Sequence, residues 1–190
     1  MIDENNRWLL SFYRTSEIGG ALFFGQLART TRVGGMQQAL TRHFADEAQH
    51  ACYWTDCLAS LGAEPMRLGE SYQDRYLKEA GLPANFMEVL AVTHAFERRV
   101  MGQYARHLQL EGVHPEIRET LERIVTDERR HLLWVRQALR EMEHDYGAHA
   151  VKQARERFEA ADEVVYRQLV CEHGDRMKDL FARGHEGGAS

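Results

Sequence analysis

The sequence predicts an all-α fold: a bundle of four long helices, a long crossover between the second and third of them, and a further helix at the C-terminus. Three observations predict it. Helix formers (Ala, Leu, Glu, Arg, Gln) dominate a chain of 190 residues, while its 15 Gly and 3 Pro cluster in a few places. Four long segments carry apolar residues at helical spacing. The pattern Asp46-Glu47-Ala48-Gln49-His50 returns as Asp127-Glu128-Arg129-Arg130-His131, each copy inside one of those segments.

The first helix is expected over about residues 6–31, with Leu9, Phe12, Tyr13, Phe24 and Leu27 on one stripe. Glu17 falls on that stripe, a carboxylate in the middle of an apolar face. Gly19 and Gly20 follow it, and each costs about 1 kcal/mol relative to Ala inside a helix. Either close helix approach or open space beside Glu17 accounts for them. Gly34-Gly35 marks a turn. The second helix, about residues 36–61, has Leu40, His43, Phe44, Glu47, His50, Trp54, Cys57, Leu58 and Leu61 inward, and Gly62 ends it. Pro65, Gly69, Gly81 and Pro83 break the stretch 63–83. That is long for a helix–helix loop and suits a crossover with a short helix around residues 72–78.

The third long helix, about residues 84–110, turns Phe86, Leu90, Thr93, Glu97, Val100, Met101, Tyr104 and Leu108 inward, and Glu97 interrupts its stripe as Glu17 does the first. The fourth runs over about residues 115–144, opened by Pro115 in a first-turn position. Its stripe is Ile117, Leu121, Ile124, Glu128, His131, Val135, Ala138 and Met142. A highly charged segment over about residues 148–181 has Phe158, Ala161, Val165 and Leu169 as an apolar edge, to pack outside the bundle or against a second subunit. The whole is expected as a single domain over 1–190: a bundle over about 7–143, this added helix, and a flexible tail at 183–190.

Composition limits the function. With 24 basic and 29 acidic residues the net charge is −5, which offers no electrostatic footprint for nucleic acid. The first residues lack a basic start and apolar run, and the most apolar window, 18–28, is too short to span a bilayer. A cytoplasmic protein with no membrane partner is expected. Cys52, Cys57 and Cys171 form no CxxC pair, so neither a disulfide framework nor a rubredoxin-type iron site is encoded.

A helix turns residues three apart to the same face, so each repeat presents its Glu and His together. The inner stripes therefore offer Glu17, Glu47 with His50, Glu97, and Glu128 with His131. One Glu from each of two helices and a Glu-x-x-His from each of the other two is the donor set of two-metal carboxylate bundles. Two divalent ions carry four positive charges, which four carboxylates neutralise while two neutral imidazoles add nitrogen donors. Iron and manganese accept such an oxygen and nitrogen set. Glu47 and Glu128 are placed to bridge, with Glu17 and Glu97 as terminal ligands. Ligand histidines commonly donate their other N–H to a carboxylate. Asp46 is therefore expected to pair with His131, and Asp127 with His50.

These residues resemble the ferritin-like di-iron carboxylate superfamily, which includes bacterioferritin, rubrerythrin, the small subunit of ribonucleotide reductase and the four-helix hydroxylases. The resemblance covers about residues 7–143. It implies an antiparallel four-helix bundle, two iron ions (or manganese, or a mixed pair), and reaction of the reduced metals with dioxygen or peroxide. Departures narrow it. Phe24 stands where ferritins carry a Tyr, and Ala48 stands where bacterioferritins carry the haem Met, so no haem is expected and iron storage is disfavoured. No Cys cluster is present, and Val100 and His94 flank Glu97 where rubrerythrins have an additional Glu, which disfavours peroxidase chemistry.

The expected function is an oxidase or oxygenase acting with dioxygen on a small organic substrate. The expected partners are an electron donor and a second copy of the chain. A ferroxidase or peroxide-reducing protein is one alternative, and a non-enzymatic bundle with a vestigial site is another. Tyr13, Tyr104, Trp54 and Trp134 lie within two turns of the ligands and would serve as core or as an electron path. Gly20 and Thr93 would line a pocket or close-packed helices. His94 is expected on the helix surface, with an extra ligand as the alternative, and His43, one turn from Glu47, is a candidate for a place behind the ligands.

Overall fold

The computed structural model describes the backbone of residues 2–181 and the side chains of residues 2–176. The tail expected at 183–190 lies outside the described residues. The elements are α1 (Glu4–Thr30), α2 (Met36–Ser60), α3 (Tyr72–Ala80), α4 (Phe86–Leu108), α5 (Pro115–Tyr146) and α6 (Ala148–Phe181), with no strand among the described residues.

Local chemistry sets the helix ends. Asp3 accepts the Asn6 N–H at 2.8 Å to cap α1. Ser71 and Asp74 satisfy each other's backbone N–H groups in a capping box at α3. Asn85 accepts from Glu88 N–H at α4, and Pro115 occupies the first turn of α5. Gly35, with φ of 78°, precedes α2 in the left-handed region that favours glycine.

Neighbouring bundle helices are antiparallel, as their cross-contacts require. Between α1 and α2, Arg14 meets Thr55 and Gly25 meets Phe44. Between α2 and α5, Asp46 meets His131 and His50 meets Asp127. Between α4 and α5, Arg136 meets His94 and Arg118 meets the Leu108 carbonyl. Between α1 and α4, Tyr13 meets His107 and Phe23 meets Phe96. It follows that α2 and α4 point the same way. The connection between them must carry the chain back along the bundle, and α3 forms within it.

The charged C-terminal helix packs outside the bundle, on α3, α4 and α5 of the same chain. Val151, Ala154, Phe158, Val165 and Leu169 are its buried residues against them, while Ala161, expected on that edge, is half-buried. Asp162 is the polar fastening. It accepts from the Tyr72 hydroxyl at 2.5 Å and from Arg99 Nε at 2.9 Å, tying α3, α4 and α6 at one carboxylate. A break at His173, with φ of −130° and ψ of 16°, interrupts α6.

The predicted inner stripe of α5 is buried throughout, from Ile117 to Met142. On α2 the stripe needs one correction: Phe44 is 39% exposed. Its ring lies over Gly25, where the absent side chain leaves a shelf on the outside of α1. Leu27 of α1 is likewise only half-buried. No helix among the described residues is long and apolar enough to cross a membrane.

Asp162 and Arg99 are almost enclosed, so removing the Asp162 carboxylate forfeits its charge-assisted hydrogen bonds, although Arg99 keeps Glu163 at 2.7 Å and the Tyr72 hydroxyl keeps the backbone carbonyl of residue 162 at 3.3 Å. Asp162→Ala should lower unfolding stability by about 2 kcal/mol in urea at neutral pH. Asp162→Asn, which keeps a hydrogen-bond acceptor, should lose less.

Candidate metal centre

Glu17 of α1, Glu47 and His50 of α2, Glu97 of α4, and Glu128 and His131 of α5 are all buried, and all six converge midway along the bundle. Their donor atoms form two groups, each with mutual separations within 4.8 Å. One comprises Glu17, Glu47, His50 and Glu128. The other comprises Glu47, Glu97, His131 and His43, so Glu47 belongs to both.

The aspartates orient the two repeat histidines. His131 Nε2 lies 3.1 Å from Asp46 Oδ2, and His50 Nε2 lies 3.3 Å from Asp127 Oδ2. A proton on each Nε2, donated to its aspartate, leaves Nδ1 as a lone-pair donor facing inward. His50 Nδ1 stands 3.1 Å from Glu128 Oε1 and 3.5 Å from Glu17 Oε2. His131 Nδ1 stands 3.2 Å from Glu128 Oε2, 3.5 Å from Glu47 Oε1 and 3.8 Å from Glu97 Oε2. Glu128 thus presents one oxygen to each imidazole. Arg130, paired with Asp127 and 3.7 Å from Asp46, stands at the outer end of both clasps.

Electrostatics show what this concentration of charge demands. Burial pushes the Glu47 and Glu97 carboxyls well above the usual range, and neighbouring carboxylates push further. Burial also opposes ionisation of Glu128, but the hydrogen bond from His131 and the charge of His131 and His50 outweigh it and hold that carboxyl well below the usual range. Burial disfavours a charge on His50, yet Glu128 and Glu17 push it up to about 12. His131 is raised in the same sense against burial, by Glu128 and Asp46. Protons thus balance the cluster when no metal does.

The donor set fits a divalent pair. His43 Nδ1 and Nε2, His50 Nδ1 and Glu128 Oε1 are buried without a hydrogen bond. Buried polar atoms rarely stay unpartnered. Four carboxylates and imidazole nitrogens, with no thiolate, suit iron or manganese.

Gly20 serves close approach. A Cβ there would collide with Glu47 Oε2, so the bare backbone of α1 makes room for that carboxylate. Gly19 makes similar room for Gln73, whose amide donates to the Ser16 carbonyl at 2.8 Å. Thr93 is buried, but its hydroxyl donates to the Val89 carbonyl of its own helix at 2.9 Å.

Tyr104 donates its hydroxyl to Glu17 Oε1 and receives the Trp54 indole N–H at 3.2 Å. Tyr13 meets Tyr104 edge-on at 4.8 Å, and its hydroxyl lies 3.3 Å from His107 Nδ1. His107 in turn lines a cleft of about 540 Å³ at the end of the bundle. A cavity of about 20 Å³, lined in part by Phe12, Tyr13, Phe96 and Tyr104, adjoins the Glu17 side.

Two histidines correct the expectation. His94 is buried at the junction of α4, α5 and α6, its Nε2 3.4 Å from Arg136 Nε and its Nδ1 3.6 Å from Glu159. It lies apart from both donor groups and off the surface. His43 reaches Glu97 Oε1 at 2.9 Å and stands among the donors. Its position one turn before Glu47 was the available signal.

A family model described as Rubrerythrin matches residues 9–139, most of the chain. No curated protein matches the chain.

Two outcomes follow from the geometry. Glu47, Glu97, His50 and His131 hold protons more tightly in the fold, so their stabilising contribution falls as pH rises. Glu128, His43, His94 and His107 shift downward, and their contribution is complete above about pH 7.5. Metal-free protein should therefore lose melting stability between about pH 7.5 and 9.5, by up to about 1.4 kcal/mol per proton lost and pH unit. Added Mn(II) should abolish the loss, because metal replaces those protons. In calorimetric Mn(II) titrations, Gly20→Ala should weaken metal binding at least about tenfold, since its methyl displaces Glu47.

Proposed function

The chain belongs to the rubrerythrin family, and we propose that it is a di-iron oxidase or oxygenase that uses dioxygen to oxidise a small organic substrate. One observation carries the reading. Two histidines on opposing helices are each held by the other repeat's aspartate, with Nδ1 turned into four buried carboxylates. Glu17, Glu47, His50, Glu97, Glu128 and His131 would hold the metals, Glu47 standing in both donor groups and Glu128 presenting one oxygen to each repeat histidine. Manganese in one or both positions is compatible with the same donors. When bound, an iron pair supplies the electrons with which dioxygen or peroxide is reduced.

The chain's own residues prepare the site for that chemistry. The four glutamates neutralise the pair without importing water. Asp46 and Asp127 fix the imidazole tautomers. Tyr104 holds a proton against Glu17 Oε1, and burial, followed by the Glu17 charge, pushes its ionisation well above the ordinary range. Phe24, stacked on His43, and Phe96, beside Phe23, close the side toward α1 and α4.

A second reading, oxidation of Fe(II) itself or reduction of peroxide, is favoured by the cavity of about 20 Å³ beside Tyr104. It has room for about one water-sized molecule. Iron analysis combined with oxygen uptake separates the readings. An oxidase or oxygenase should hold two irons per chain and consume dioxygen beyond the iron equivalent when ascorbate supplies electrons. Uptake that stops with the added Fe(II), with iron retained beyond two per chain, would establish iron handling instead. Preferential consumption of hydrogen peroxide would establish peroxide reduction. A folded protein that takes up no iron would refute all three. Glu128→Ala should abolish iron loading.

A further inference from the structure

We propose that His43 is a seventh donor to the metal pair, so that the two metal positions are chemically unequal. The inference rests on the metal-binding reading above and extends it to a residue outside the repeat. His43 lies four residues before Glu47, one turn away on the same face of α2. Its side chain has no exposure. The ring is sandwiched between Phe24 at 3.6 Å and His131 at 3.8 Å, with Trp134 edge-on at 5.7 Å. That packing fixes its plane and sets Nε2 beside the carboxylates. Nε2 is 2.9 Å from Glu97 Oε1 and 3.4 Å from Glu47 Oε1, yet neither ring nitrogen makes a hydrogen bond.

A purely packing role does not explain an imidazole here. The stack would accept a phenyl ring, whereas a buried imidazole with unsatisfied nitrogens costs about 1–3 kcal/mol. Coordination removes that cost. With His43 included, one position has Glu47, Glu97, His131 and His43, and the other has Glu17, Glu47, Glu128 and His50. The first then has two imidazoles and the second has one. Added nitrogen favours later first-row metals, while the oxygen-rich position remains suited to manganese or iron. The positions should fill in two resolved steps and accept different metals.

Calorimetric titration with Co(II) and with Mn(II) tests this on the full chain, using wild type and His43→Phe, which keeps the stack and removes the donor. Wild type should bind two Co(II) per chain in resolved steps. His43→Phe should keep one step unchanged and weaken the other at least about tenfold, with a smaller change for Mn(II). In parallel, NMR of Co(II)-loaded wild type carrying ¹⁵N-labelled histidine should show three strongly contact-shifted imidazoles. That count needs no variant and decides the matter if His43→Phe does not fold. Two shifted imidazoles, or unchanged Co(II) affinities in folded His43→Phe, would overturn the role of His43 while leaving the six-donor site intact. Absence of Co(II) binding by wild type would overturn the metal reading itself.

Discussion

Four glutamates on four different helices meet in one dry volume, and the middle of the bundle is arranged around that fact. Burying a single unpaired carboxylate costs several kcal/mol, and four together are sustained only by protons or by cations. The fold supplies partial compensation through two imidazoles, each held in place by an outer aspartate. It leaves Glu47 and Glu97 biased toward their neutral forms. A divalent pair brings the missing charge, so the arrangement is a stability problem without metal and a binding site with it.

The surroundings follow from the same constraint. Gly20 lies where any side chain would strike Glu47, which explains a helix-weakening residue in the middle of α1. Asp46 and Asp127 each reach across the α2–α5 interface, so the helix pairing and the imidazole orientation are one interaction. On the Glu17 side, Tyr104, Trp54 and Tyr13 form a connected aromatic layer that ends at His107, beside the cleft at the bundle end. The outer helix α6 is fastened separately, through Asp162 and Arg99. Its loss would expose α4 without touching the donors directly.

Much of this was legible because helical periodicity is a local property. Carboxylates on apolar stripes identified Glu17 and Glu97, and the repeat identified the remaining four candidate donors. The places where inference from periodicity fell short are places where packing between elements decides. Phe44 follows the inner spacing of α2, but Gly25 opens a shelf for it on the outside. Thr93 faces inward, but its hydroxyl is taken up by its own helix. His94 reads as a surface residue until α6 covers it.

The sequence alone determined that the chain is helical, which residues share each helix face, and that two Glu-x-x-His pairs and two further glutamates turn inward, because each follows from 3.6 residues per turn. Only the tertiary structure decided which donors stand together, since distances between helices depend on register and on small residues at contacts. It decided that Glu47 belongs to both groups, that Gly20 gives room rather than an opening, and that α6 closes onto its own chain. It also brought His43 among the carboxylates. One turn of helix put that ring on the right face; the stack between Phe24 and His131 holds it there.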